Sequence, residues 1–143
     1  MLAFSGAGER VRPGPSRRSR EISLITEKAL SPVLNLNDYP GSVVDVFVEL
    51  IQTDAGTRCA GITAAAMALA HAGIPMKDLI SSIAIGVIDG EVVVDLSKQE
   101  EDYKGSVADI PVALSTSTGK VTLLQADGLF TEEQLGKVLD AAK

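Results

Sequence analysis

Five consecutive residues, Asp54-Ala55-Gly56-Thr57-Arg58, bring together an acid, a flexible glycine, a hydroxyl and a guanidinium. A β-branched stretch precedes them and an Ala-rich run follows, so they fall at the junction of a predicted strand and a predicted helix. A helix start leaves backbone N–H groups unpaired and carries the positive end of the helix dipole, which favours an anion. Gly56 lets an oxyanion approach the backbone closely, Thr57 adds a hydroxyl, and Arg58 offers a two-pronged donor. The plainer alternative makes Thr57 an ordinary N-cap and Arg58 a surface residue. The pentapeptide alone does not choose between them.

A second candidate is the acidic stretch from Asp95 to Pro111, which links two predicted hairpins. Asp109 enters the apolar run 110–114, so its carboxylate belongs at a strand mouth rather than on a free loop. A carboxylate there can hold Mg²⁺ beside phosphate oxygens or move a proton. Glu100, Glu101 and Asp102 read more simply as a solvated acidic loop. His71 has no Cys, His or carboxylate at ligand spacing and reads as a helix-end residue. The lone cysteine, Cys59, reads as a small buried hydrophobe. Phe4, Tyr39, Phe47, Tyr103 and Phe130 are too scattered to form a base-stacking platform.

Charge placement separates two regions that the net value of −6 conceals. Residues 1–20 carry Arg10, Arg12, Arg17, Arg18 and Arg20 against Glu9 alone, whereas the rest of the chain is strongly acidic. The sixth and last arginine is Arg58, and every other cation is a lysine. Arginine's planar fork matches phosphate, while lysine acts as a point charge. A solvated basic tail is the ordinary reading of such a run; arginine confined to the tail and to one helix start points to a phosphate-bearing partner.

These residues need a frame. With 143 residues and 45% hydrophobic content, the chain fits one domain with a buried core. No apolar run approaches the ~20 residues of a spanning helix, and the start does not read as a secretory signal. A single cysteine excludes an internal disulfide and suits a reducing compartment, so a cytoplasmic location is expected.

Residues 1–18 are Gly/Pro/Arg-rich and predicted extended. A helix is predicted over 19–29, ended by Pro32, and a strand with one buried face over 42–52. A helix buried on most sides is predicted over 59–72. Two hairpins are predicted, pairing 80–87 with 91–96 about Asp89-Gly90, and 110–115 with 120–126. A last helix begins at Thr131, which with Gln134 has the capping-box pattern. The order α-β-α-β-β-β-β-α defines a layered α+β domain. The last helix ends with its apolar period still running, and a first strand is expected before residue 1, so the chain reads as a fragment.

Taken in order, the quoted elements carry a resemblance. They are Phe4-Ser5, Glu9-Arg10 and the run from Pro13 to Arg18, then Asp45 to Glu49, Gln52 to Arg58, and His71 to Met76. Val94-Asp95-Leu96, Glu101-Asp102, Ala108 to Pro111, Leu124-Gln125 and Asp127-Gly128 complete the set. This ordered set resembles the RNase PH family, and within it the catalytic ring subunits of archaeal-type exosomes. The resemblance covers essentially all of the chain and implies one partial RNase PH-like domain over residues 1–143, with the ribosomal protein S5 domain 2-like layered α+β fold, truncated.

It further implies a phosphorolytic 3′→5′ exoribonuclease, in which inorganic phosphate as co-substrate releases nucleoside diphosphates from RNA 3′ ends. Gly56, Thr57, Arg58 and Arg18 would bind that phosphate. Asp109 matches the family's catalytic aspartate and Asp102 its upstream metal-supporting partner, both toward Mg²⁺. Arg10, Arg12 and Arg17 would line the RNA path by analogy. Val107 stands where the family usually has a glutamate, and the Asp102-to-Asp109 interval is one residue longer than usual. Glu101 is therefore an alternative to Asp102. The implied partners are single-stranded RNA, a catalytically silent homologous subunit in a hexameric ring, and RNA-binding cap subunits, with no membrane. Two other readings stay open: a stand-alone RNase PH trimming tRNA 3′ ends, and a non-catalytic RNA-binding ring subunit.

Overall fold

The computed structural model describes residues 16–143; Arg10 and Arg12 lie outside them. Helix α1 spans Arg17–Leu30, two residues earlier than the apolar period predicts. The reason is local: Ser16 is the N-cap, and its Oγ accepts from the Ser19 N–H at 3.0 Å. Arg17 and Arg18 thus belong to a helical turn rather than to an extended tail. Pro32 falls in a short 3₁₀ turn, Ser31–Val33, that ends the helix.

Helix α2, Thr57–His71, follows. Strands β1, Ile80–Ile88, and β2, Glu91–Val94, form the first hairpin about Asp89-Gly90, both at positive φ. A four-residue helix α3, Lys98–Glu101, interrupts the predicted acidic loop. Strands β3, Val107–Ser115, and β4, Val121–Leu124, form the second hairpin, and α4, Glu132–Ala141, closes the order with the expected Thr131–Gln134 capping box. The four strands make one antiparallel sheet in the order β2-β1-β3-β4.

Strand periodicity separates two cores. Ile85 and Val87 of β1 and Ala108, Ile110, Val112 and Leu114 of β3 pack with Val138 of α4 on one face. Ile80 and Ala113 face the other way, against Ile25 and Ala29 of α1 and Ile62, Ala65, Ala66 and Leu69 of α2. The α+β layering is as predicted, with helices on both faces of the sheet.

Two expectations need correction. Residues 42–52 are not a strand with a buried face: no ladder pairs them, and on the face expected to be buried Val44 and Val46 are 49% and 40% exposed, with Val48 and Leu50 half-buried. The alternation is genuine, but a strand exists only through a neighbour's hydrogen bonds, and none among the described residues runs beside it. A Val48 methyl lies near Gly61 of α2. Helix α2, in turn, is buried on one face only. Ala60, Ala64, Met67 and Ala68 are exposed on the side that no described element covers.

Candidate active site

The loop Thr53–Thr57 turns sharply into α2. Ala55 and Gly56 both take positive φ, 49° and 55°, the left-handed region in which a side chain costs energy. Gly56 is the N-cap, so no side-chain oxygen occupies the first amides of α2, and Thr57 lies inside the helix rather than capping it. That leaves N–H groups and the positive dipole end facing an open cleft of about 370 Å³, lined by Arg18, Gly56, Thr57, Arg58, Glu101 and Asp109 among others.

The opposite wall is the sheet. Alternation along β3 sends Ala108 and Ile110 into the α4 core and turns Asp109 and Pro111 toward α2. Asp109 sits within the strand, not merely at its mouth. It is paired with Gly86 of β1 on one side and bridged to Asp127 on the other. Burial pushes its carboxyl above the usual range; Glu101 and Asp127 push the same way, and Arg58 opposes them. An aspartate held this way keeps its proton at higher pH than a free one, and it welcomes a cation.

Glu101 reaches the cleft because α3 is fastened on two sides. Ser97 caps it in a full capping box with Glu100, and the Asp54 carboxylate accepts from the Lys98 N–H at 2.9 Å. The anion loop and the acidic helix are thereby tied together. Asp102 ends that helix, exposed, with its carboxylate 2.7 Å from Lys98 Nζ; it does not line the cleft. Among the described residues no three His, Cys, Asp or Glu side chains group to hold a metal. Asp109 with Glu101 is the available pair, and Mg²⁺ characteristically takes one or two carboxylates plus phosphate oxygens. Such a cation would offset the burial of Asp109 and the carboxylates, Glu101 and Asp127, that crowd it.

Arg18 lines the cleft from α1, while Arg17 is exposed on the same first turn. With Arg20, three guanidiniums crowd a helix start that has no acidic residue in its first turn. The charge there is positive on positive, unfavourable unless an anion comes. Cys59 is buried, and burial pushes its thiol up. His71 ends α2, exposed.

Two residues outside the predicted set join the site. Gln125 Oε1 accepts from Arg58 Nη1 at 2.9 Å, and Glu21 Oε1 lies 3.6 Å from Arg58 Nη2. Both line a second cleft of about 350 Å³ that shares Arg58 and Asp109 with the first. Gln125 stands 67 positions from Arg58, so no local spacing signals the contact.

The architecture is that of the RNase PH-like α+β class. Rice Rrp46 superposes with a TM-score of 0.80 at 23% identity, over 90% of this chain and 61% of that one. The chain of an Archaeoglobus fulgidus exosome with RNA bound to the active site gives 0.63 at 18%, over 92% and 60%. The chain belongs to the 3′ exoribonuclease (RNase PH) family: domain 1 of that family matches residues 1–75, and domain 2 matches residues 78–143.

Its curated relatives include exosome complex component Rrp41 of Thermococcus gammatolerans, 55% identical over 94% of this chain and 53% of the relative. The protein of the same name from Thermoplasma acidophilum is 47% identical over 98% and 55%. The chain thus spans about half the length of these relatives.

Proposed function

We propose that this chain carries the reaction centre of a phosphorolytic 3′→5′ exoribonuclease, as a catalytic ring subunit of an archaeal-type exosome. The observation that carries the reading is Arg58, at a helix start free of side-chain caps, sharing one cleft with Asp109. Identity near 50% to archaeal Rrp41 components supports it.

In this reading inorganic phosphate rests on the first amides of α2, the Thr57 hydroxyl and the guanidiniums of Arg58 and Arg18. A phosphate oxygen bonds to the phosphorus of the terminal RNA diester, and the bond from that phosphorus to the 3′ oxygen of the preceding nucleotide breaks. A nucleoside diphosphate leaves, and the shortened RNA keeps a 3′ hydroxyl, which needs a proton. The Asp109 carboxyl, pushed upward by burial, lines the cleft and is the group placed to deliver that proton. Mg²⁺, where bound, would be held by Asp109 and Glu101 and would supply positive charge for the crowded phosphate oxygens. Arg17 and Arg20, with Arg10 and Arg12, would guide the RNA backbone without reading sequence. The ring partner is a homologous silent subunit, with RNA-binding caps above it. No described helix is long and apolar enough to cross a membrane, and a cytoplasmic setting is proposed.

The test incubates the full-length subunit, alone and with its ring partner, with 3′-tailed RNA, Mg²⁺ and phosphate. Nucleoside diphosphates that form only with phosphate and partner are expected. RNA bound without any phosphate-dependent product would sink the catalytic reading; full activity without a partner would replace the ring by a stand-alone enzyme.

A further inference from the structure

Arg58 does not stand free in the cleft. One prong of its fork is hydrogen-bonded to a neutral amide, Gln125 Oε1 at 2.9 Å, and the other lies 3.6 Å from a carboxylate, Glu21 Oε1. These anchors differ in charge, in length and in how firmly each is mounted. Gln125 directly follows β4, and its own N–H donates to the Pro111 carbonyl at 3.1 Å; two residues on, Asp127 is bridged to Asp109. Its backbone is therefore part of the sheet that carries Asp109. Glu21 sits on α1 with its side chain 49% exposed, and its oxygen lies beyond ordinary hydrogen-bond length.

We propose that the two anchors set the anion affinity of Arg58 in opposite directions: Gln125 is a positioning residue that aims the guanidinium, and Glu21 is a resident competitor that an incoming phosphate displaces. A neutral acceptor fixes a guanidinium without consuming its charge, so the cation keeps its full attraction for an oxyanion. A carboxylate occupies the same charge, and phosphate must break that contact to gain its own. Because Glu21 follows Arg18 by three residues on α1, both project from one side of that helix. Displacing Glu21 therefore frees Arg58 on the side from which Arg18 reaches the cleft.

The inference deepens the phosphorolytic reading and rests on it. The test uses the full-length subunit in its ring, with inorganic phosphate as the varied ligand and three measurements: phosphate KM, kcat, and the arginine Nε–Hε NMR signal of Arg58. Gln125→Met keeps length and volume but loses the acceptor. It is expected to raise phosphate KM about five- to tenfold, restore the rate at saturating phosphate, and increase the motion of the Arg58 signal. Glu21→Gln is expected to lower phosphate KM two- to fivefold. A structural role alone would move both variants the same way, with melting temperature and kcat falling together. Equal KM values across wild type and both variants in an active ring overturn the inference while leaving phosphorolysis intact. A ring with no phosphate-dependent turnover overturns both, unless the Nε–Hε signal shifts on adding phosphate and does so less in Gln125→Met, which supports the Gln125 role at an anion site of another chemistry.

Discussion

Asp109 and Asp127 exchange both backbone hydrogen bonds, N–H to carbonyl at 2.8 Å and 2.9 Å. The exchange continues the β3–β4 pairing in the register of Val112 and Leu124 and fixes the backbone of the residue on which the proposed chemistry turns. It also brings a second carboxylate near the first, one of the reasons Asp109 sits above the usual carboxyl range.

Asp109→Asn keeps the strand, the volume and the backbone bridge while removing the proposed proton donor. Turnover is expected to fall by about 10²–10⁴-fold, the usual worth of a positioned acid–base group. RNA affinity, measured by anisotropy, should stay within twofold. A variant that retains the wild-type rate would remove Asp109 from the reaction.

Arg58 and Glu101 pull the Asp109 carboxyl in opposite directions, Glu101 upward and Arg58 downward. Glu101→Gln is therefore expected to move its titration midpoint down, and Arg58→Gln to move it up. Carboxyl ¹³C shifts followed against pH, without divalent metal, read both. The alkaline limb of the pH–rate profile, where a general acid loses its proton, should follow in the same order. A midpoint indifferent to Glu101 would break the electrostatic link between α3 and β3.

Gly86 lies opposite Asp109 in the β1–β3 ladder. A Cβ there would meet the Ala108 carbonyl oxygen at 2.8 Å and collide with the Leu96 side chain, which is 1% exposed. Backbone and a filled core cannot both retreat, so Gly86→Ala is expected to cost about 1–3 kcal/mol of stability, as overpacking does. Urea unfolding measures it, with Gly136→Ala on α4, where a Cβ meets nothing within 4 Å, as the control.

What the sequence revealed, and what it hid, divides by the range of the interaction. Thr131 and Gln134 are three residues apart, and their reciprocal cap forms as read. Asp89-Gly90 makes the expected turn, since positive φ is a local demand. Ser97 and Glu100 carry the same capping pattern, yet the helix they start is one turn long and leaves no apolar period to find. Residues 42–52 alternate as a strand should, but pairing is supplied from outside the segment, and no described residue supplies it. At the site, Arg58 is legible at the junction of a predicted strand and a predicted helix, and Asp109 where an acidic stretch meets an apolar run. Gln125 was not: a neutral amide across the sheet becomes informative only once β3 and β4 are registered. The resemblance points to Asp102, with Glu101 as its alternative; both carboxylates approach Lys98, at 2.7 Å and 3.5 Å, but only Glu101 of the two lines the cleft.

The most strongly perturbed carboxylate in the described chain lies outside the site. Asp78 accepts from Ser115 Oγ, from the Ser117 N–H at 3.0 Å and hydroxyl at 2.7 Å, and from Thr116 Oγ1 at 3.0 Å. It ties the β3–β4 turn to the segment entering β1. These donors, Ser115 foremost, hold its carboxyl far below the usual range. A depressed folded-state pKa means that the folded form favours the ionised group. The stabilisation is therefore complete above the unfolded value near ~3.9 and is lost as pH falls toward the folded one. Asp78→Asn keeps the shape but removes the charge and one acceptor. Its urea midpoint is expected below that of wild type at pH 7, with the gap constant down to about pH 5 and narrowing steadily below about pH 4. A gap that stays constant from pH 7 to pH 2.5 would mean that the contacts hold the turn by shape alone, with no stabilisation from the ionised carboxylate.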